Sequence, residues 1–146
     1  MQAPRDRSGT PPGEEFRLTV RVYFEDTDAG GVVYYANYLK FCERARTEWL
    51  RTLGFAQGQL IEASGVAFVV RKVAADYLAS ARLDDELQVV SRIERLGGAS
   101  IVFDQWVECG GTRLFEARIT VACIDLGRHA ATAIPSHIRR RLAQPD

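Results

Sequence analysis

Two carboxylates, Asp26 and Asp28, stand one residue apart in the stretch 25-EDTDAGGVVYYANYLKF-41. Gly30-Gly31 follows at once, and then Tyr34, Tyr35, Tyr38 and Phe41. A carboxylate so placed holds a turn, takes a proton from water as a general base, or attacks an electrophilic carbonyl as a nucleophile. A turn explains the acids and the glycines, but leaves the four aromatics unexplained. Other chemistries have few residues to draw on. The two histidines, His129 and His137, both lie late in the chain, so a zinc site or a Ser/His/Asp triad is hard to assemble. Cys42, Cys109 and Cys123 are odd in number, far apart and without a Cys-x-x-Cys. They read as reduced thiols of a cytoplasmic protein.

The elements around this stretch follow from its flanks. Residues 16–24 alternate, with Phe16, Leu18, Val20, Val22 and Phe24 on one side and Arg17, Thr19, Arg21 and Tyr23 on the other. This predicts a half-buried strand. From Tyr34 to Leu53 the period becomes helical. Tyr38, Cys42, Ala45, Trp49 and Leu53 form one apolar stripe, Arg44 and Glu48 fall at i,i+4 spacing, and Gly54 is placed to end the helix. A weaker helical segment covers 56–64, up to Gly65. Strands follow over 67–78, 86–96, 99–108 and 113–125, with Gly97-Gly98 and Gly110-Gly111 as hairpin turns. Pro135 opens a short helix carrying Arg139-Arg140-Arg141 as a solvated face. No βαβ alternation is present, so the pattern predicts an α+β fold: an antiparallel five-stranded sheet wrapped around one long central helix. Residues 1–15, with three prolines and two glycines, read as a disordered leader, and 16–146 as a single domain.

Composition narrows the partners. The chain has 146 residues, and its nineteen basic residues balance nineteen acidic ones. No net field draws it to nucleic acid or to an anionic membrane. No apolar run reaches the ~18 residues of a membrane span.

The string 22-VYFEDTDAGGVVYYANY-38 resembles the signature of hotdog-fold acyl-CoA thioesterases. It is nearest to the YbgC type within the 4-hydroxybenzoyl-CoA thioesterase group. The segment 43-ERARTE-48 is similar to that family's central helix, and 67-AFVVRK-72 and 81-ARLDD-85 to its next strand and turn. The resemblance runs from about residue 18 to 126 and implies the hotdog fold. It implies a homodimer or homotetramer with active sites between subunits. The implied reaction converts an acyl-CoA to a carboxylic acid and free CoA, with no cofactor, since coenzyme A is part of the substrate.

Carried over residue by residue, the resemblance puts the catalytic carboxylate on Asp28. It acts either as a nucleophile forming a mixed anhydride or as a general base on water. Burial beside the aromatics would favour the base by raising a pKa ordinarily near ~3.9. Asp26 is left to hold the loop. The oxyanion donor falls on the backbone N–H of Tyr35, at a helix start rich in free donors. Gly30 and Gly31 let the backbone approach the thioester, Tyr34 joins the pocket, and Asn37 orients a water or caps the helix. Arg71, Lys72 and Arg82 are candidates to grip CoA phosphates. Glu43 reads as the ion-pair partner of a neighbouring Arg. Many YbgC-type chains carry His at the position of Tyr35. A phenol cannot do imidazole's acid–base work near neutral pH, so an altered rate or acyl preference is expected. Two other readings stand beside hydrolysis: a non-catalytic hotdog module binding acyl-CoA or an acyl carrier protein, and a hotdog hydratase. The hydratase ranks last because neither His falls near the helix.

Overall fold

The computed structural model describes residues 15–143; residues 1–14 of the expected leader lie outside them. In chain order the elements are β1 (Phe16–Arg21), a 3-10 turn (Phe24–Asp26), α1 (Asn37–Thr52), α2 (Gln57–Ser64) and β2 (Val66–Tyr77). Then come β3 (Glu86–Leu96), β4 (Ser100–Cys109), β5 (Thr112–Asp125), β6 (Ala130–Ala131) and α3 (Ser136–Ala143). The five long strands run in the order β1-β3-β4-β5-β2, every pairing antiparallel, and the two-residue β6 adds to the end of β5. β1 and β2 are the two edges. Gly110 and Gly111 both take positive φ, +58° and +84°. Residues with a Cβ resist that pairing of angles, which matches the twist of the β4–β5 hairpin.

The sheet curls round α1. Tyr38, Phe41, Cys42, Ala45 and Trp49 are buried on the helix and meet Leu87, Val89, Ile101, Phe103, Val107, Phe115 and Ile119 from the sheet. Full burial of side chains such as Phe41 and Phe115 stabilises by roughly 1.5–3 kcal/mol each. This apolar interface fixes α1, and therefore the direction in which its first turn points.

The structure corrects the sequence reading in several places. β1 stops at Arg21, because the chain bends into a 3-10 turn. The Asp26 carboxylate accepts the Tyr23 N–H at 2.8 Å, and the Asp26 N–H donates to the Tyr23 carbonyl at 2.9 Å. These local bonds override the alternation and leave Phe24 80% exposed. The long helix begins at Asn37, three residues after Tyr34. Glu48 pairs with Arg51, while the Arg44 guanidinium lies 5.9 Å from the centre of the Phe41 ring. Arg139 is not simply solvated: it donates to the Gly97 carbonyl as α3 docks through the buried Ile138 and Leu142. On the β2 edge, Val69, Val70 and Val73 are exposed.

Candidate active site

Asp28 sits at the tip of a short loop that leaves β1 and returns into α1. Thr27 bridges Val33, and the Asp28 N–H donates to the Val32 carbonyl at 2.8 Å. The Tyr34 N–H donates to the Asp26 carbonyl at 2.9 Å. The returning arm is clamped from outside as well, since Val32 bridges Arg82 and the Val33 N–H donates to Ala81 at 2.9 Å. The loop is thus hydrogen-bonded on both sides before it reaches the helix.

Asp26 and Asp28 divide the work. Asp26 spends its carboxylate on Tyr23, and its carbonyl accepts twice, from the Tyr34 N–H and from Asn37 Nδ2 at 2.9 Å. It frames the loop, and Asn37 ties the first turn of α1 to that frame. Asp28 is exposed. Its Oδ1 accepts the Gly30 N–H at 2.8 Å, and its Oδ2 has no partner among the described residues. A Cβ on Gly30 would lie 3.3 Å from Asp28 Oδ1, and Gly31 has φ +83°. Both glycines therefore serve the carboxylate's placement.

The start of α1 is open. Residues Tyr34–Asn37 form a turn closed by the Asn37 N–H on the Tyr34 carbonyl at 2.9 Å. The Tyr38 N–H then reaches Tyr35 at 3.4 Å and the Leu39 N–H reaches Ala36 at 3.2 Å. No side chain caps the helix. The N–H groups of Tyr35 and Ala36 donate to nothing among the described residues. They sit at the positive end of the helix dipole, a ready acceptor site for an anion.

Aromatic rings wall this corner. Tyr35 is 60% exposed, 5.0 Å from the Tyr34 ring and 5.9 Å from Tyr77. Beneath them Tyr38 stacks on Phe115 at 5.0 Å and meets Tyr77 edge-on at 5.8 Å. The Tyr38 hydroxyl accepts the Ala81 N–H at 3.0 Å, which locks the ring to the turn before β3. Burial raises the phenol pKa of Tyr38, with the Ala81 bond opposing it, and burial also raises that of Tyr77. The sequence reading gave Tyr77 only a strand role. Its approach to Tyr35 depends on the sheet register, which sets Tyr77 opposite Phe115.

The expected phosphate ligands are not brought together. Arg82 leaves the chain beside the Asp28 loop through its bridge to Val32. Arg71 and Lys72 stand exposed at a register shift in the β2 edge. Lys72 is five residues from Tyr77, about 17 Å along an extended strand.

Two adjoining cavities of about 270 and 300 Å³ lie between α1 and β2 and share Glu43, Arg46 and Val70. Glu43 forms no ion pair among the described residues, contrary to expectation. Arg46 is only 8% exposed. Its Nη1 donates to Gln105 Oε1 at 2.9 Å, while Gln105 Nε2 donates to the Cys42 carbonyl at 3.0 Å and to Ser91 Oγ at 2.8 Å. Burial lowers the Arg46 pKa, against the opposing pull of Cys42 and Glu43. Burial also pushes the Cys42 thiol up to about 12, so this thiol is not a nucleophile. Arg46 and Gln105 were both missed. For Gln105 a signal existed: it alternates in register with Ile101, Phe103 and Val107, a row that faces the core.

Comparison with known proteins gives the family and the fold. The model of the thioesterase-like superfamily matches residues 22–142. The chain is 49% identical over 124 residues to the acyl-CoA thioesterase YbgC of Haemophilus influenzae, covering 85% of this chain and 91% of that one. It is 51% identical over 124 residues to the acyl-CoA thioester hydrolase YbgC of Escherichia coli O6:H1, covering 84% and 92%. Among solved structures, the 1,4-dihydroxy-2-naphthoyl-CoA thioesterase of Synechocystis superposes with a TM-score of 0.81 at 25% identity, over 90% of this chain and 96% of that one. The chain belongs to the thioesterase-like superfamily, with the hotdog architecture of a curled antiparallel sheet around a helix. Within that superfamily it stands with the YbgC-type acyl-CoA thioesterases.

Proposed function

We propose that the chain hydrolyses acyl-CoA thioesters, with Asp28 supplying the carboxylate and the first turn of α1 the oxyanion hole. One observation carries this reading. A carboxylate with a free oxygen and a pair of unsatisfied N–H groups flank the same hydrogen-bonded loop, and Asp26 links them. The thioester carbonyl oxygen, negative in the tetrahedral intermediate, takes the Tyr35 N–H, with that of Ala36 beside it. Asp28 then either removes a proton from the attacking water or attacks the carbonyl itself, water cleaving the anhydride afterwards. In both routes a C–O bond forms, the C–S bond breaks, and the CoA thiolate leaves and takes up a proton. The YbgC relatives, named for acyl-CoA hydrolysis, support the substrate class.

In a single chain Asp28 and the Tyr35 ring both face solvent. The β2 edge, with Val69, Val70 and Val73 exposed, offers a pairing surface for a second copy, so the working unit is a homo-oligomer. Three free cysteines fit a reducing cytoplasm.

The test is CoA release from a panel of acyl-CoAs by wild type and Asp28→Asn. An Asn amide oxygen still accepts the Gly30 N–H, so the loop is kept. The expected loss is about 10²–10⁴-fold in kcat. Equal rates remove Asp28 from the mechanism, and binding without release from any acyl-CoA favours a non-catalytic binding module.

A further inference from the structure

The cavities under α1 contain two groups that hydrolysis at Asp28 does not use. Arg46 is buried, only its Nη1 is met by Gln105, and it forms no ion pair among the described residues. Its guanidinium carbon lies 5.9 Å from the centre of the Phe103 ring, and the residue lines both cavities. Glu43, one turn earlier, is exposed, lines the same two cavities and attracts Arg46 electrostatically, with no ion pair among the described residues. Around them the lining is mainly apolar, with Val70, Phe103 and Ile119, and it also carries Lys40, Thr47 and Gln57. A guanidinium only donates hydrogen bonds and a carboxylate only accepts them. The cavity therefore offers a donor, Arg46, and an acceptor, Glu43, from neighbouring turns of one helix.

The helix fixes where this seat lies relative to the reacting carbonyl. Arg46 follows Tyr35 by eleven residues, about 16 Å along the axis. Eleven steps of about 100° bring it within roughly 20° of Tyr35's direction. Glu43 lies about 12 Å down the axis and about 80° round from Tyr35, and Leu39, one turn below Tyr35, already lines a cavity. Side chains lean toward the helix N-terminus, so both polar tips sit closer to the site than their backbones do. An acyl chain leaving the oxyanion hole along this face meets the Glu43–Arg46 pair about 10 Å from its carbonyl.

We propose that this cavity seats the far end of the acyl group and that Arg46 and Glu43 select a substrate bearing a hydroxyl there. The proposal rests on the thioesterase reading and names its substrate class: medium-chain acyl-CoAs hydroxylated remote from the thioester. A hydroxyl accepts from Arg46 and donates to Glu43. A terminal carboxylate satisfies Arg46 but is repelled by Glu43, an ammonium meets the reverse, and a plain alkyl end makes no hydrogen bond to either. Gln105 is the positioning residue. Fully buried and bonded to the Cys42 carbonyl and Ser91, it can turn only its Oε1 toward Arg46.

The experiment compares kcat/KM for matched acyl-CoAs of about six to twelve carbons with methyl, hydroxyl or carboxylate ends, in wild type, Glu43→Gln and Arg46→Met. The expected result is a preference of about tenfold or more for the hydroxylated member at one chain length. That preference shrinks in both variants, mainly through KM. Arg46→Met also strips Gln105 of a partner, so Glu43→Gln, on the exposed side of the helix, carries the test if Arg46→Met does not fold. A plain chain cleaved as well as its hydroxylated partner at every length overturns the proposal, and so does a carboxylate preferred throughout. If no member releases CoA, hydrolysis is what has failed. Calorimetry with the corresponding free acids then decides the seat: tighter binding of the hydroxy acid supports it, and equal affinities overturn it.

Discussion

The two ends of α1 are finished in opposite ways. At the C-terminal end the Leu53 N–H reaches the Leu50 carbonyl at 3.0 Å, Gly54 reaches Arg51 at 3.0 Å and Phe55 reaches Leu50 at 2.9 Å. The Thr52 hydroxyl adds a 2.7 Å bond to Trp49. Gly54 turns the chain away with φ +98°. At the N-terminal end there is no side-chain cap, and the N–H groups of Tyr35 and Ala36 stay unmet among the described residues. A good N-cap is worth roughly 1 kcal/mol, and this helix forgoes it. One end is built for stability alone. The other keeps its donors for a ligand, and its position is held from outside by Asp26, through Asn37 and Tyr34.

The comparison breaks most visibly at Tyr35. This residue is the second of the Tyr34–Asn37 turn, with Ala36 after it in the right-handed region, φ −69° and ψ −19°. That is the type I geometry, in which proline is favoured at the second position. Tyr35→Pro therefore deletes one N–H and keeps the turn, and Tyr35→Ala is its control for loss of the phenol. We expect Tyr35→Pro to fall about 10²–10³-fold below Tyr35→Ala in kcat for CoA release, with similar melting temperatures. Equal rates in the two variants assign the open helix end no catalytic part.

Much of this arrangement can be read from residue order, and the exceptions have physical reasons. The stripe from Tyr38 to Trp49 has the period of a buried helix, and Gly54, Gly65 and Gly110-Gly111 mark turns that residues with a Cβ resist. Periodicity carried the helix back to Tyr34 because it counts side chains. The helix start is decided by backbone bonds, from Tyr34 to Asp26, that periodicity does not contain. Phe24 fits the alternation of β1, yet the Asp26 carboxylate competes for the backbone there and wins. Tyr77 meets Tyr35 only through the register of β2 on β5. Gln105 has a core-facing position by simple alternation, but its partners, Arg46 and Ser91, lie 59 and 14 residues away. Such pairings belong to the fold and leave no local trace.

That buried network anchors the middle of the helix, between the open end and the closed one. Replacing Gln105 with Leu leaves Arg46 without its only acceptor among the described residues and removes donors to Ser91 and the Cys42 carbonyl. Stranded buried polar groups cost about 1–3 kcal/mol each, so we expect a loss of about 2–4 kcal/mol in urea denaturation. The Arg46→Met, Gln105→Leu double variant should recover part of it, because the stranded charge goes too. Strict additivity of the two losses would mean that the residues do not work as a unit.

The smallest effect is expected at the closed end. An Ala Cβ at Gly54 meets no atom within 4 Å, so the cost of Gly54→Ala is conformational: holding a side-chain-bearing residue at positive φ, about 1 kcal/mol. That lowers the melting temperature by only a few degrees in a chain of this size. The rate of CoA release per folded molecule should not change, because the Gly54 N–H serves only the last turn. Tyr35→Pro and Gly54→Ala thus form a matched pair, one expected to cost rate without stability and the other stability without rate. If Gly54→Ala slows release as much as Tyr35→Pro does, then α1 responds as a single rigid unit, and the unmet N–H groups at its start have no role of their own.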